Sequence, residues 1–192
     1  MTSADWWLKA VAFEILGHEE LAIEAWEKII AHPGASVPDL YSAAERLKRL
    51  GKPASEIEVW EKIIAHPGAS ALDLYSAADG FERLEKPELA VQAWEKIIAH
   101  PDASGYLYLA ASALEKLKET DLEIQAWQKV IAHSRATAND LYLAASALDR
   151  LKEPELAIQA WREFIAHPDA SPSARGSANE AIETLQLAHV NP

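Results

Sequence analysis

The sequence predicts an all-α solenoid, a stack of helical pairs. Three observations carry that expectation. Trp26, Trp60, Trp94, Trp127 and Trp161 recur at intervals of 34, 34, 33 and 34 residues, each inside a close variant of "AWEKIIAHP". A second segment alternates with it: "DLYSAAERLKRL" from Asp39, "DLYSAADGFERL" from Asp73, "YLYLAASALEKL" from Tyr106 and "DLYLAASALDRL" from Asp140. In both segments apolar residues return every three or four positions, the period of one buried helix face.

Each element has its own start and stop signals. In the first helix of a pair, Leu40, Ala44, Leu47 and Leu50 form the stripe. In the second, Leu89, Ala90, Ala93, Trp94, Ile97 and Ile98 do. Ser36-x-x-Asp39, Ser70-x-x-Asp73 and Thr137-x-x-Asp140 fit N-caps with an acid at the third helical position, a capping-box variant. Pro53, Pro87 and Pro154 sit where a helix begins and the missing N–H costs nothing. Pro33, Pro67, Pro101 and Pro168 stop the tryptophan helices. One pair cannot bury its stripes alone, whereas stacked pairs share a continuous core. The expected organisation is five pairs over residues 1–170, dividing near 34, 68, 101 and 135, then a capping helix and tail over 171–192. Ser171-Pro172 starts that helix; Ala174, Ala178, Ala181, Ile182 and Leu185 cover the open end, and Glu180, Glu183 and Gln186 face water.

Composition excludes several function classes. The chain has 192 residues, 49% hydrophobic and 25% charged, the mix of a folded domain rather than a disordered one. There is no Cys, which removes disulfides, thiolate catalysis and Cys-based metal centres. A formal charge of −12 disfavours nucleic acid and anionic membrane as partners. Met1 to Leu16 is apolar but carries Asp5 and Glu14, without the basic start of a signal peptide. A protein of the cytoplasm, with no cofactor, is the expectation.

The 34-residue helix–turn–helix period resembles the tetratricopeptide repeat (TPR). The residues that carry the resemblance are Trp6, Ala10, Phe13, Gly17, Ala22, Trp26 and Pro33 in repeat 1. In repeat 3 they are Leu74, Ala78, Phe81, Ala90, Trp94 and Pro101; in repeat 5, Leu141, Ala145, Leu148, Ala157, Trp161 and Pro168. Repeats 2 and 4 depart with Glu56 and Glu123 at a small-residue position. Ile29, Ile63, Ile97, Val130 and Phe164 replace the usual alanine after the aromatic. The resemblance implies a right-handed superhelix whose concave groove holds peptide segments of other proteins. The Lys, Asn and Arg with which some members grip a C-terminal carboxylate are missing, since Trp7, Val11, Ser42, Leu72 and Ser76 stand there.

No catalytic set can be assembled from the sequence, and no enzyme is expected. His32, His66, His100, His133 and His167 hold one position in every repeat. Packed helices lie about 10 Å apart, too far for two such histidines to share a metal at bonds of about 2 Å. Their expected place is the last helical turn, where an imidazolium suits the dipole and reaches terminal carbonyls. His18 and His189 lie outside the pattern. The tryptophans read as core.

The partner-binding candidates are the aromatic row Trp7, Tyr41, Tyr75, Tyr108 and Tyr142. By the resemblance, this row lines the groove. One turn on come Val11, Glu45, Asp79, Ser112 and Ser146; then Glu14, Lys48, Glu82, Glu115 and Asp149. Aromatic anchors beside polar groups suit binding, although packing between first helices accounts for the tyrosines equally well. Arg46, Lys48, Arg49 and Lys52 form a basic cluster, either a solvated helix end or an acceptor for an acidic partner. The first helix is apolar nearly all round, so Trp7, Leu8, Val11 and Ile15 are candidates for self-association. The leading expectation is a non-catalytic protein–protein scaffold. The alternatives are a self-assembling dimer or filament and a designed or recently duplicated array.

Overall fold

The computed structural model describes residues 1–190, without the side chains of residues 189 and 190. His189 and the final residues 191 and 192 of the expected tail therefore lie outside the described side chains. All regular structure among the described residues is helical. The helices are α1 Ser3–Ile15, α2 Glu19–Ile30, α3 Val37–Arg49, α4 Pro53–Ala65, α5 Ala71–Arg83 and α6 Pro87–Ala99. They continue with α7 Leu107–Leu117, α8 Thr120–Ala132, α9 Ala138–Arg150, α10 Pro154–Ala166 and α11 Pro172–Val190.

The expected signals set the boundaries. Ser36, Ser70 and Thr137 cap α3, α5 and α9, and each in turn donates its backbone N–H to the carboxylate of Asp39, Asp73 or Asp140. Thr2 and Asp5 build a fourth box on α1, which the sequence reading overlooked. Pro53, Pro87 and Pro154 open α4, α6 and α10. The one-residue deletion behind the 33-residue interval falls before α7, which starts without a side-chain cap and is the shortest helix at 11 residues.

Inside each pair the turn has one geometry. Gly17, Gly51, Glu85, Lys118 and Lys152 have positive φ, and the next N–H reaches back to the carbonyl of Phe13, Leu47, Phe81, Leu114 or Leu148 at 2.9–3.0 Å. This is a Schellman ending, which favours glycine; a side chain in that backbone region costs about 1 kcal/mol.

The chain divides into two compact units, Met1–His100 and the part from Pro101 onward. In the first, α1 to α6 each pack on their chain neighbours, and α2 and α6 also touch α4. In the second, α7 to α11 pack in the same serial way. Contacts limited to near neighbours define a solenoid segment. The repeat tryptophans Trp26, Trp60, Trp94, Trp127 and Trp161 are buried, along with Ile29, Ile63, Ile97, Val130 and Phe164. The alanine pairs Ala43-Ala44, Ala77-Ala78, Ala110-Ala111 and Ala144-Ala145 are fully buried, so each first helix approaches its neighbours closely. On α11, Ala178 is buried, Ala174, Ala181, Ile182 and Leu185 are half-buried, and Glu180, Glu183 and Gln186 are exposed, as a cap requires.

Candidate functional site

The helix phase fixes where the tyrosine row points, and in α3, α5 and α9 a capping box sets that phase. With the N-cap at Ser36, Leu40 turns into the core and Tyr41, the next residue, turns out of it. Each tyrosine then lays its ring against the buried tryptophan of its own pair. Centroid distances are 5.8 Å for Tyr41–Trp60, 5.8 Å for Tyr75–Trp94, 6.0 Å for Tyr108–Trp127 and 5.2 Å for Tyr142–Trp161. These edge-on and tilted contacts suit the ring quadrupoles. Tyr41, Tyr108 and Tyr142 stay 39–45% exposed, and Tyr75 is half-buried. Packing and solvent exposure thus coexist in the same rings.

The second row differs between the units. Glu45 and Asp79 in the first unit reach the surface beside Tyr41 and Tyr75 and line one cavity with them. Ser112 and Ser146 in the second unit share a cavity of about 340 Å³ with Tyr108. The Ser146 hydroxyl donates to the Tyr142 carbonyl at 3.0 Å. Trp7 and Val11 are half-buried on α1 and line neither cavity.

The third row is not a simple groove lining. Glu14 accepts from Trp26 Nε1 at 2.7 Å and from Arg46 at 2.8 Å; Glu82 accepts from Trp94 Nε1 at 2.8 Å. Where that row offers Lys48, Glu56 on the second helix takes over. It is 2% exposed and accepts from Trp60 Nε1 at 3.2 Å and from Arg83. Glu123 does the same for Trp127 at 3.4 Å and Arg150 at 2.7 Å, while Arg150 also meets Glu115 at 3.1 Å. The two glutamates that departed from the repeat pattern are thus the acceptors that let a buried indole N–H and a buried carboxylate satisfy each other. Only Trp161 Nε1 is buried without a partner among the described tryptophans. The pairing was readable in the sequence, because Glu14 and Ala22 exchange for Lys48 and Glu56 within one repeat length. Arg46, one of the basic cluster, is committed to Glu14 rather than awaiting an acidic partner.

The histidine expectation needs correction. His66, His100, His133 and His167 follow the helix as C-caps with extended backbone, and His32 lies one residue beyond the Ala31 cap. Nδ1 of His32, His66, His133 and His167 accepts the N–H two residues on, at 3.0–3.2 Å. These rings thus pin the turn by accepting at Nδ1, rather than by reaching back to the terminal helix carbonyls. No group of three potential metal ligands occurs among the described residues.

On α1 the apolar surface is open. Leu8 and Ile15 are 64% and 80% exposed. Lys9 stands where α3, α5, α7 and α9 bury Ala43, Ala77, Ala110 and Ala144, and its Nζ lies 5.0 Å from the Trp6 ring centroid.

Compared with known proteins, the chain matches no family model and no curated protein. A solved structure described as the crystal structure of MamA protein is similar at 17% identity, with a TM-score of 0.46, covering 95% of this chain and 89% of that one. No helix among the described residues is long and apolar enough to cross a membrane. The chain is a helical-repeat protein built from stacked pairs.

Proposed function

We propose that this chain is a non-catalytic interaction scaffold of TPR-like repeats that holds a segment of another protein against the tyrosine-bearing faces of its first helices. The observation that carries the reading is the combination, in Tyr41, Tyr108 and Tyr142, of a ring packed on tryptophan and a surface 39–45% exposed. The ring packs on a buried tryptophan, so little rotamer entropy remains to be lost on binding. Cytoplasmic location and the absence of nucleic-acid and membrane partners belong to the same proposal, resting on the acidic charge of −12.

A photo-crosslinking side chain tests it, placed at Tyr108 or Tyr142 and, as a control, at exposed Gln92 or Gln125 on the second helices. In cells that make the protein, discrete adducts should come from the tyrosine positions and not from the controls. Tyr108→Ala and Tyr142→Ala should each weaken the captured complex about tenfold or more. Equal adducts from both faces would overturn the reading.

A second reading has its own observation, the exposed Leu8 and Ile15 on α1. Self-association through Trp7, Leu8, Val11 and Ile15 would raise the mass in light scattering over a hundredfold concentration range, and Leu8→Glu/Ile15→Glu would restore the monomer. The lysine at position 9 restricts such a dimer to side-by-side contact, because end-on stacking would bury its charge.

A further inference from the structure

The first unit carries an apolar socket on its surface. Val37, Pro38, Tyr41 and Leu72 line a cavity of about 660 Å³ between the N-terminal turns of α3 and α5. Leu72 is 56% exposed. It occupies the second position of α5, where the helix dipole favours an acid and where α9 has Asn139. Folding does not call for a bulky aliphatic side chain at that place, and a partner side chain would.

Tyr41 and Ser76 join the socket to a second cavity of about 230 Å³ that bears Glu45, Lys48 and Asp79. Arg83 also lines it, but is neutralised by Glu56 behind it. Glu45, Asp79 and Lys48 have no ion pair among the described residues, which leaves the shelf with an excess of one negative charge. Asp73 at the socket's edge adds another, and the equivalent row in the second unit, Ser112 and Ser146, has no charge.

Building on the scaffold reading above, we infer that the first unit selects a protein segment pairing a bulky apolar side chain, seated between Tyr41 and Leu72, with a lysine or arginine facing Glu45 and Asp79. Glu45 follows Tyr41 by one helical turn, about 5–6 Å along the axis. Residues two apart in an extended partner span about 6–7 Å, and residues four apart in a helical one span about 6 Å. The recognised spacing is therefore two to four residues.

The test is selection from phage-displayed random dodecapeptides on the immobilised 192-residue chain, followed by anisotropy titration of the enriched peptides. All substitutions are at exposed or half-exposed positions, and circular dichroism checks each fold. Expected are peptides with a bulky apolar residue and a Lys or Arg two to four positions away. Leu72→Arg should weaken them about tenfold or more. Glu45→Lys/Asp79→Lys should turn the enriched charge from basic to acidic while the apolar residue persists. Peptides that need Leu72 but show no basic preference would overturn the charge inference and leave the scaffold reading standing. Enrichment indifferent to Leu72→Arg, Tyr41→Ala and Tyr108→Ala alike, or no enrichment at all, would overturn both.

Discussion

Trp60 and Trp161 are the same ring in the same place, with different endings for the indole N–H. Trp60 donates to Glu56, which is buried and held by Arg83 from the next first helix. Trp161 is also buried, yet Ala157 stands in the place of Glu56, Asp149 is one methylene shorter than Glu14 and Glu82, and Nε1 has no partner. The difference teaches that the tryptophan position is kept for shape, whereas its polar atom is satisfied by whichever neighbouring helix supplies a carboxylate. The carboxylate in turn depends on an arginine from the following pair, so the polar contacts in repeats 1, 2 and 4 cross from one pair to the next.

Making repeat 2 resemble repeat 5 should produce the largest effect. Glu56→Ala leaves the Trp60 N–H without an acceptor and Arg83 without its counter-charge. A loss of about 3 kcal/mol is expected, discounted from the cost of breaking a fully buried pair because Arg83 is partly in water. Urea denaturation followed by tryptophan fluorescence measures it. A change below about 0.5 kcal/mol would mean the indole finds another acceptor at no cost, and the comparison would fail. Gly80 belongs to the same packing: a Cβ there would lie 2.6 Å from Trp60 Nε1.

The reverse change should be smaller and of opposite sign. Asp149→Glu offers Trp161 the reach that Glu14 and Glu82 give to Trp26 and Trp94. Satisfying one buried donor should add about 1 kcal/mol, read from the same denaturation curve. A neutral result would place the orphan N–H in a geometry that the α9 position does not serve.

Much of this was legible in advance, for reasons that differ by residue. Capping boxes and helix-initial prolines are local devices, so Ser36-Asp39 and Pro53 announced their helices directly. Lys118 and Lys152 gave no such notice, because their left-handed turn is imposed by the docking of the two helices rather than by their own preference. Gly17 and Gly51 at the same position were the available signal. The Glu56–Trp60–Arg83 set joins two helix pairs, and only superposing repeats reveals that a glutamate moves from one helix to the other. The histidines were placed correctly at helix ends, but their hydrogen-bond role depends on a ring rotation that sequence does not encode. The tyrosine row is visible in the sequence as a repeat position, and its contact with the tryptophans depends on how the two helices of a pair dock.

The start of α3 and the start of α7 allow the finest comparison, because one has a capping box and the other has lost it. Burial works against ionisation of Asp39, but the bonds from the Ser36 N–H at 3.0 Å and the Ser36 hydroxyl at 2.8 Å outweigh it and hold the carboxyl below its ordinary value. A lowered folded value means that the charged form stabilises the fold. That contribution is complete above the unfolded carboxyl value of about 3.9 and is lost as pH falls through the lower folded value. Asp39→Asn should therefore cost about 0.5–1 kcal/mol at pH 7, the low end for a cap because the group is partly in water. The gap to wild type should start to close once pH falls below the unfolded carboxyl value of about 3.9, and should be gone by the lower folded value, where Asp39 itself takes up a proton. No such pH-dependent term is expected from the start of α7, where Tyr106 supplies no side-chain cap. A gap that stays constant from pH 7 to about pH 3 would show that shape, not charge, is what Asp39 contributes to the box.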